Sequence, residues 1–226
     1  MAQLVDITKV AVAPQHFTAR VRIANGGPLT TDQDLVGTTH VYNLLPDIVD
    51  HACLGDAGTT FKECMGSTEL AHLLEHVAIE LMARTGLSGD VTCGRTWEVT
   101  GEPRTYDVQL GCPDDVLVAA AVSSAAWILQ WAYSGARDPK PDVDAIVEGI
   151  RSMTEHADEI AAREEEREEG RDADVERKTD VERDGAAPDG SHEAVRDGAP
   201  DAAPDDRTSG PAAPGDGNAD TAAKRV

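Results

Sequence analysis

The sequence predicts an α+β fold, a small and mainly antiparallel sheet packed against helices and followed by a disordered acidic C-terminal tail. Strand-like segments come in two pairs, 4–12 with 17–23 and 91–99 with 105–110. Helical patterns lie between and after these pairs, an order typical of α+β proteins. The composition also changes along the chain, because every aromatic residue lies at or before Tyr133.

These observations divide the chain into three predicted regions: a folded α+β domain at 1–135, a linker with an amphipathic and then charged helix at 136–169, and a tail at 170–226. Residues 155–226 hold 22 acidic and 10 basic residues among Pro, Gly and Ala. Such a segment buries too little apolar surface to offset its ordering entropy, so we expect the tail to be disordered. The remainder, about 150 residues, suffices for one core.

The first half is predicted to contain a β-hairpin (4–12 and 17–23), a helix from Thr31 or Asp32 to about Leu45, and a helical turn over 60–64. Pro46 interrupts the first helix, and residues 47–52 form a further turn or short helix.

A central helix is predicted over 68–85, capped by Ser67 and ended by Gly86 in the left-handed conformation. A helix starting at Pro113 and ending at Tyr133 is apolar and rich in Ala, and we interpret it as a buried helix rather than a membrane span. A last helix runs from Asp142 to about Glu169, with an apolar stripe that includes Met153.

Charge and cysteine content narrow the possible partners and compartment. The formal net charge is −22, and only five of the 20 basic residues are Lys. This composition favours a halophilic, high-salt cytoplasm, with a high-GC mesophile as the alternative, and it argues against nucleic acid or an anionic membrane as partners. The four cysteines contain no Cys-x-x-Cys pair and no signal peptide is evident, so we expect free thiols and a cytoplasmic location.

The central helix carries the strongest functional pattern, His72-x-x-Glu75-His76. Residues four apart lie on the same side of a helix, so His72 and His76 present two imidazoles to one point. This is the inverted zinc-hydrolase pattern, in which two His bind the metal and the Glu acts on water. The alternative is a His pair that is only hydrogen-bonded within the fold.

A zinc site needs a third protein ligand, and the sequence offers several. Glu80 lies on the same side of the helix as His72 and His76 and is our preferred ligand. By the helical rise it is about 12 Å along the axis from His72. Glu80 could instead orient His76 from behind. His51 is the other main candidate; weaker ones are Glu98, Glu102 and Glu148.

Three further side chains could contribute to such a site. Cys53 and Cys64 could join it, although an isolated Cys is more often a small buried hydrophobe. Arg95 could bind a substrate carboxylate, or form an ordinary ion pair on a strand.

Residues 45–110 resemble the N-terminal domain of cyanophycin synthetases. The matching pieces, in order, are Leu45-Pro46-Asp47, Asp50-His51-Ala52-Cys53, a Gly-containing loop, the run from Glu69 to Leu81, Gly94-Arg95-Thr96, Gly101-Glu102-Pro103 and Tyr106-Asp107-Val108. In that family the domain precedes an ATP-grasp and a Mur-ligase-like domain, which build the Asp–Arg polymer cyanophycin. This sequence contains neither, so it is not a synthetase by itself.

The resemblance implies that His72 and His76 are metal ligands, Glu75 is the general base and Glu80 is a further acidic site residue. It implies a zinc-dependent peptidase or amidase acting on cyanophycin-like Asp–Arg polymer or related peptides. The alternatives are a non-catalytic module that binds such a polymer or a separate ligase subunit, and a metal-binding or regulatory protein without turnover. The sequence does not fix the oligomeric state.

Overall fold

The computed structural model of the protein describes residues 3–53, 59–137 and 139–184. Its strands are β1 Val5–Ala13, β2 His16–Ile23, β3 Gly94–Glu98 and β4 Thr105–Gly111; its α-helices are α1 Leu35–Leu44, α2 Phe61–Cys64, α3 Leu70–Thr85, α4 Asp115–Tyr133 and α5 Val143–Asp184. Single 3-10 turns precede and follow α1, at Thr31–Asp34 and Pro46–Asp50. The predicted α+β class is confirmed. A compact unit of residues 1–177 contains all of these elements except the end of α5.

The sheet has four strands in the order β1-β2-β4-β3, and all neighbouring strands are antiparallel. Both predicted strand pairs are therefore present, and β4 joins them by pairing with β2. Alternate residues of the two central strands are buried, as expected for a sheet with one face on the core: Phe17, Ala19, Val21 and Ile23 of β2, and Tyr106, Val108 and Leu110 of β4. Helix α3 lies against this sheet and α4 packs on α3.

Helix α3 is buried on nearly all sides, since 13 of its 16 residues are buried. Its ending at Gly86, with φ of 75°, is as predicted. The predicted start is wrong, because Glu69 rather than Ser67 is the N-cap and no side chain caps the helix. The Leu70 N–H instead donates to the Leu29 carbonyl at 2.8 Å, so a distant backbone group replaces the expected cap.

Helix α4 is the one described helix that is long and apolar enough to cross a membrane by length and composition. Half of its apolar window is buried inside the protein, largely against α3. Its N-cap is Asp114, whose carboxylate accepts a 2.7 Å hydrogen bond from Leu117 N–H. This burial agrees with the predicted core helix.

Helix α5 is longer than predicted and only partly follows the predicted stripe. Val147 and Ile150 are buried, but Met153 is 51 % exposed. The end predicted near Glu169 is wrong, since the helix continues to Asp184. Glu and Arg are good helix formers, and oppositely charged pairs four residues apart, such as Glu159 with Arg163, support an exposed helix. Residues 170–184 of the predicted tail are thus helical, and 185–226 lie outside the described residues.

Candidate metal centre

The two histidines of α3 face each other, with 3.2 Å between His72 Nε2 and His76 Nε2. Thr68 Oγ1 lies 2.8 Å from His72 Nδ1 and also donates to the Glu69 carboxylate. When the Thr68 hydroxyl donates its proton to Glu69, its oxygen can accept the Nδ1 proton of His72. In that tautomer the lone pair of His72 lies on Nε2, the atom that faces His76.

His76 is held by aromatic and imidazole neighbours inside the core. The Phe61 ring of α2 stacks on it with a centroid distance of 3.9 Å, and His51 Nδ1 lies 3.3 Å from His76 Nδ1. Burial, followed by the proximity of His72 and His51, lowers the pKa of His76 to about 3. Burial also lowers the pKa of His72. Both imidazoles are consequently neutral near pH 7, the form that binds a metal.

Glu80 reaches this site through His51. Its carboxylate accepts hydrogen bonds from His51 Nε2 at 2.9 Å and from Arg84 Nε at 2.6 Å. The hydrogen bond from His51 is the main cause that lowers the pKa of Glu80. In the tautomer that carries the His51 proton on Nε2, His51 Nδ1 can accept the His76 Nδ1 proton, which leaves the His76 lone pair on Nε2. Glu80 therefore lies behind His76. This position fits the second role considered for Glu80, orienting His76, rather than binding the metal directly.

Glu75 lies against β3. Thr96 Oγ1 donates to its carboxylate at 2.6 Å. Gly94 leaves room for it, since a Cβ there would come within 2.9 Å of Glu75 Cγ. Burial raises the pKa of Glu75, although the hydrogen bonds from Thr96 and the Gly94 backbone oppose that shift.

His72, Glu75 and His76 form one of the two described groups that could hold a metal ion, with all ligand atoms within 4.8 Å of one another. Two imidazole nitrogens bound tetrahedrally at about 2.0–2.1 Å would lie about 3.3 Å apart. The observed 3.2 Å fits this requirement. Within this group Glu75 could be either a ligand or a base beside the metal. Glu80 belongs to neither described group.

The second group consists of Cys53, Cys64 and His72. Both thiols are buried and free of disulfides. The Cys53 and Cys64 Sγ atoms are 3.6 Å apart, and Cys53 Sγ is 3.6 Å from His72 Nε2. The two groups share His72.

A cavity of about 380 Å³ opens over the histidine pair. Beyond Glu75 its lining includes two further carboxylates, Glu69 and Glu98, and the guanidinium of Arg95. Burial raises the pKa of Tyr106, and the negative charges of Glu98 and Glu69 raise it further. Both carboxylates therefore lie near the same cavity-lining side chain. The cavity therefore combines a negative wall with one positive side chain.

Two of the weaker ligand candidates form ion pairs elsewhere, Glu102 with Arg20 at 3.4 Å and Glu148 with Arg151 at 3.1 Å.

Three side chains that position the site were not among those predicted from the sequence. They are Thr68, Phe61 and Thr96. Only Thr68 had a usable signal, because a hydroxyl four residues before a His on a helical segment can reach its ring.

Comparison with known proteins supports the resemblance that the sequence motifs indicated. Residues 29–132 match the family model described as cyanophycin synthase-like N-terminal domain. This match contains β3, β4, α1 to α3, all of α4 except its last residue, and every residue of the two possible metal-holding groups. Curated proteins give no match to the chain. Residues 29–132 thus resemble the N-terminal domain of cyanophycin synthetases.

Proposed function

We propose that the protein is a metal-dependent peptidase or amidase, with zinc as the metal and a cyanophycin-like Asp–Arg polymer or related peptide as the substrate. The observation that carries the proposal is the pair of Nε2 atoms, 3.2 Å apart, with the Glu75 carboxylate in the same donor group. This pair lies on a cavity large enough to admit part of a peptide.

His72 and His76 would hold the metal, and His51 with Glu80 would keep His76 oriented. A bound zinc ion would supply Lewis acidity, which polarises the scissile carbonyl and favours attack by water at neutral pH. Glu75 would accept the proton of the attacking water and donate it to the leaving nitrogen as the C–N bond breaks. Its raised pKa brings it closer to the pH at which such a base works best.

The charge of the cavity supports the substrate class. Glu69 and Glu98 could receive a guanidinium, and Arg95 could pair with a carboxylate. An Asp–Arg polymer carries both groups side by side. The formal charge of −22 would attract a cationic or zwitterionic substrate rather than a polyanion.

The test compares Glu75→Gln with His72→Ala in protein purified without added metal. We expect Glu75→Gln to retain zinc and lose hydrolysis of Asp–Arg polymer and dipeptides, and His72→Ala to lose both. Glu102→Gln is the control, because Glu102 is exposed and paired with Arg20. Metal-loaded protein that binds the polymer without cleaving it would refute the enzyme and favour the alternative, a module that binds the polymer or a separate ligase subunit.

A further inference from the structure

The second possible metal-holding group contains two thiols that have no part in the proposed hydrolysis, and it shares His72 with the first group. Its members are the thiols of Cys53 and Cys64 and the imidazole of His72. Both thiols are buried, and Cys53 lines the cavity. A route from solvent to the group therefore exists through the same opening as the histidine pair.

The spacing of these donors matches a tetrahedral thiolate site. With bonds of about 2.3 Å to sulfur and 2.0–2.1 Å to nitrogen, two thiolates lie about 3.8 Å apart and a thiolate lies about 3.6 Å from an imidazole nitrogen. The observed distances are 3.6 Å between the two Sγ atoms and 3.6 Å between Cys53 Sγ and His72 Nε2. Two of the three edges thus match the tetrahedral spacing before any rearrangement.

The nitrogen in this group is already prepared for a metal. The Thr68 hydroxyl oxygen lies 2.8 Å from His72 Nδ1 and can hold its proton, a tautomer in which the Nε2 lone pair faces the donors on either side. The thiols are less prepared, because burial raises the pKa of Cys64 to about 12. A bound cation would favour the thiolates and offset this burial.

We propose that Cys53, Cys64 and His72 form a second metal position, one that takes a thiophilic divalent ion such as Zn²⁺, Co²⁺ or Cd²⁺. Both positions need the single free nitrogen of His72, so an ion in one excludes an ion in the other. Glu75 is not a member of the thiolate group. An ion held there would leave the base without its metal partner. The inference needs no hydrolytic activity and is tested without it.

The experiment titrates the full-length, reduced, metal-free protein with Co²⁺ and follows near-ultraviolet absorption, where thiolate ligation gives a charge-transfer band. We expect a saturable band that Cys53→Ser and Cys64→Ser each weaken by at least half, because each removes one of the two thiolates. Glu75→Gln and His76→Ala should keep the band, since neither residue belongs to the thiolate group. Cys112→Ser and Cys93→Ser are the matched controls and should also keep it.

Three outcomes would overturn the proposal. They are the absence of Co²⁺ binding, binding without a charge-transfer band, and a band that disappears in Cys93→Ser but persists in Cys53→Ser. The first two are read from the unmodified protein, so they hold even if a variant fails to fold. Failure of the proposed hydrolysis is read separately, from Glu75→Gln and polymer cleavage.

Discussion

Acidification should destabilise the metal-free protein through His76. The folded-state pKa of His76 is about 3 against an ordinary value of 6.5. Above the ordinary value the ring is neutral in both states and contributes no pH dependence. As the pH falls below it, the unfolded chain binds a proton that the folded chain excludes until about pH 3, so stability is lost over that interval.

The magnitude follows from the two pKa values. Between about pH 7 and pH 5, the unfolded state gains roughly 2 kcal/mol over the folded state from this one residue. For a small domain that is a substantial part of a free energy of unfolding of about 5–15 kcal/mol.

The assay is urea denaturation of chelator-treated protein at several pH values and constant ionic strength, which fixes the screening of the many carboxylates. Acidification also changes the charge of the whole protein and protonates Glu75, whose raised pKa gives an opposite slope. The comparison with His76→Gln removes these shared contributions. The variant should be less stable near pH 7 but should lose about 2 kcal/mol less on acidification. Equal pH dependence in the two proteins would refute the assignment of a buried, neutral His76.

Three other perturbations test the positioning of the site and the fold. Glu80→Gln should weaken zinc affinity about 10- to 100-fold by loosening the support behind a ligand, measured by chelator competition, while the exposed Glu102→Gln should leave it unchanged. Gly94→Ala should lower both hydrolysis of the polymer and stability in urea denaturation, because the new Cβ would come within 2.7 Å of the Gln109 carbonyl oxygen and within 2.9 Å of Glu75 Cγ. Asp114→Ala should cost about 1 kcal/mol of stability in urea denaturation without changing zinc binding, because it removes only the cap of α4.

Local patterns predicted most of the fold because the physics that sets them is local. Alternation gave the strand pairs, and the left-handed residue after α3 was evident from Gly86. The helix starts were harder. Ser67 looked like a cap, but the backbone of Leu29 supplies the acceptor at the start of α3, a contact across some 40 residues that no local pattern contains.

In the candidate site, too, local patterns predicted the arrangement within the helix but not the contact with a distant segment. The helical period placed His72, Glu75 and His76 correctly relative to one another. It also placed Glu80 on the same side of the helix but about two turns from His72, which left its role undecided. The missing partner was His51, which comes from a different segment and fills the gap between Glu80 and His76.

The orientation of the two imidazoles is therefore set from outside the five-residue motif. Thr68 directs the free nitrogen of His72, and the pair His51 and Glu80 directs that of His76. A helix with the same motif but without these partners could place either ring nitrogen toward the site, and two such rings would converge on a metal only by chance. The hydrogen-bond partners behind the histidines, as well as the His-x-x-Glu-His spacing, would therefore orient the two Nε2 atoms toward the proposed metal.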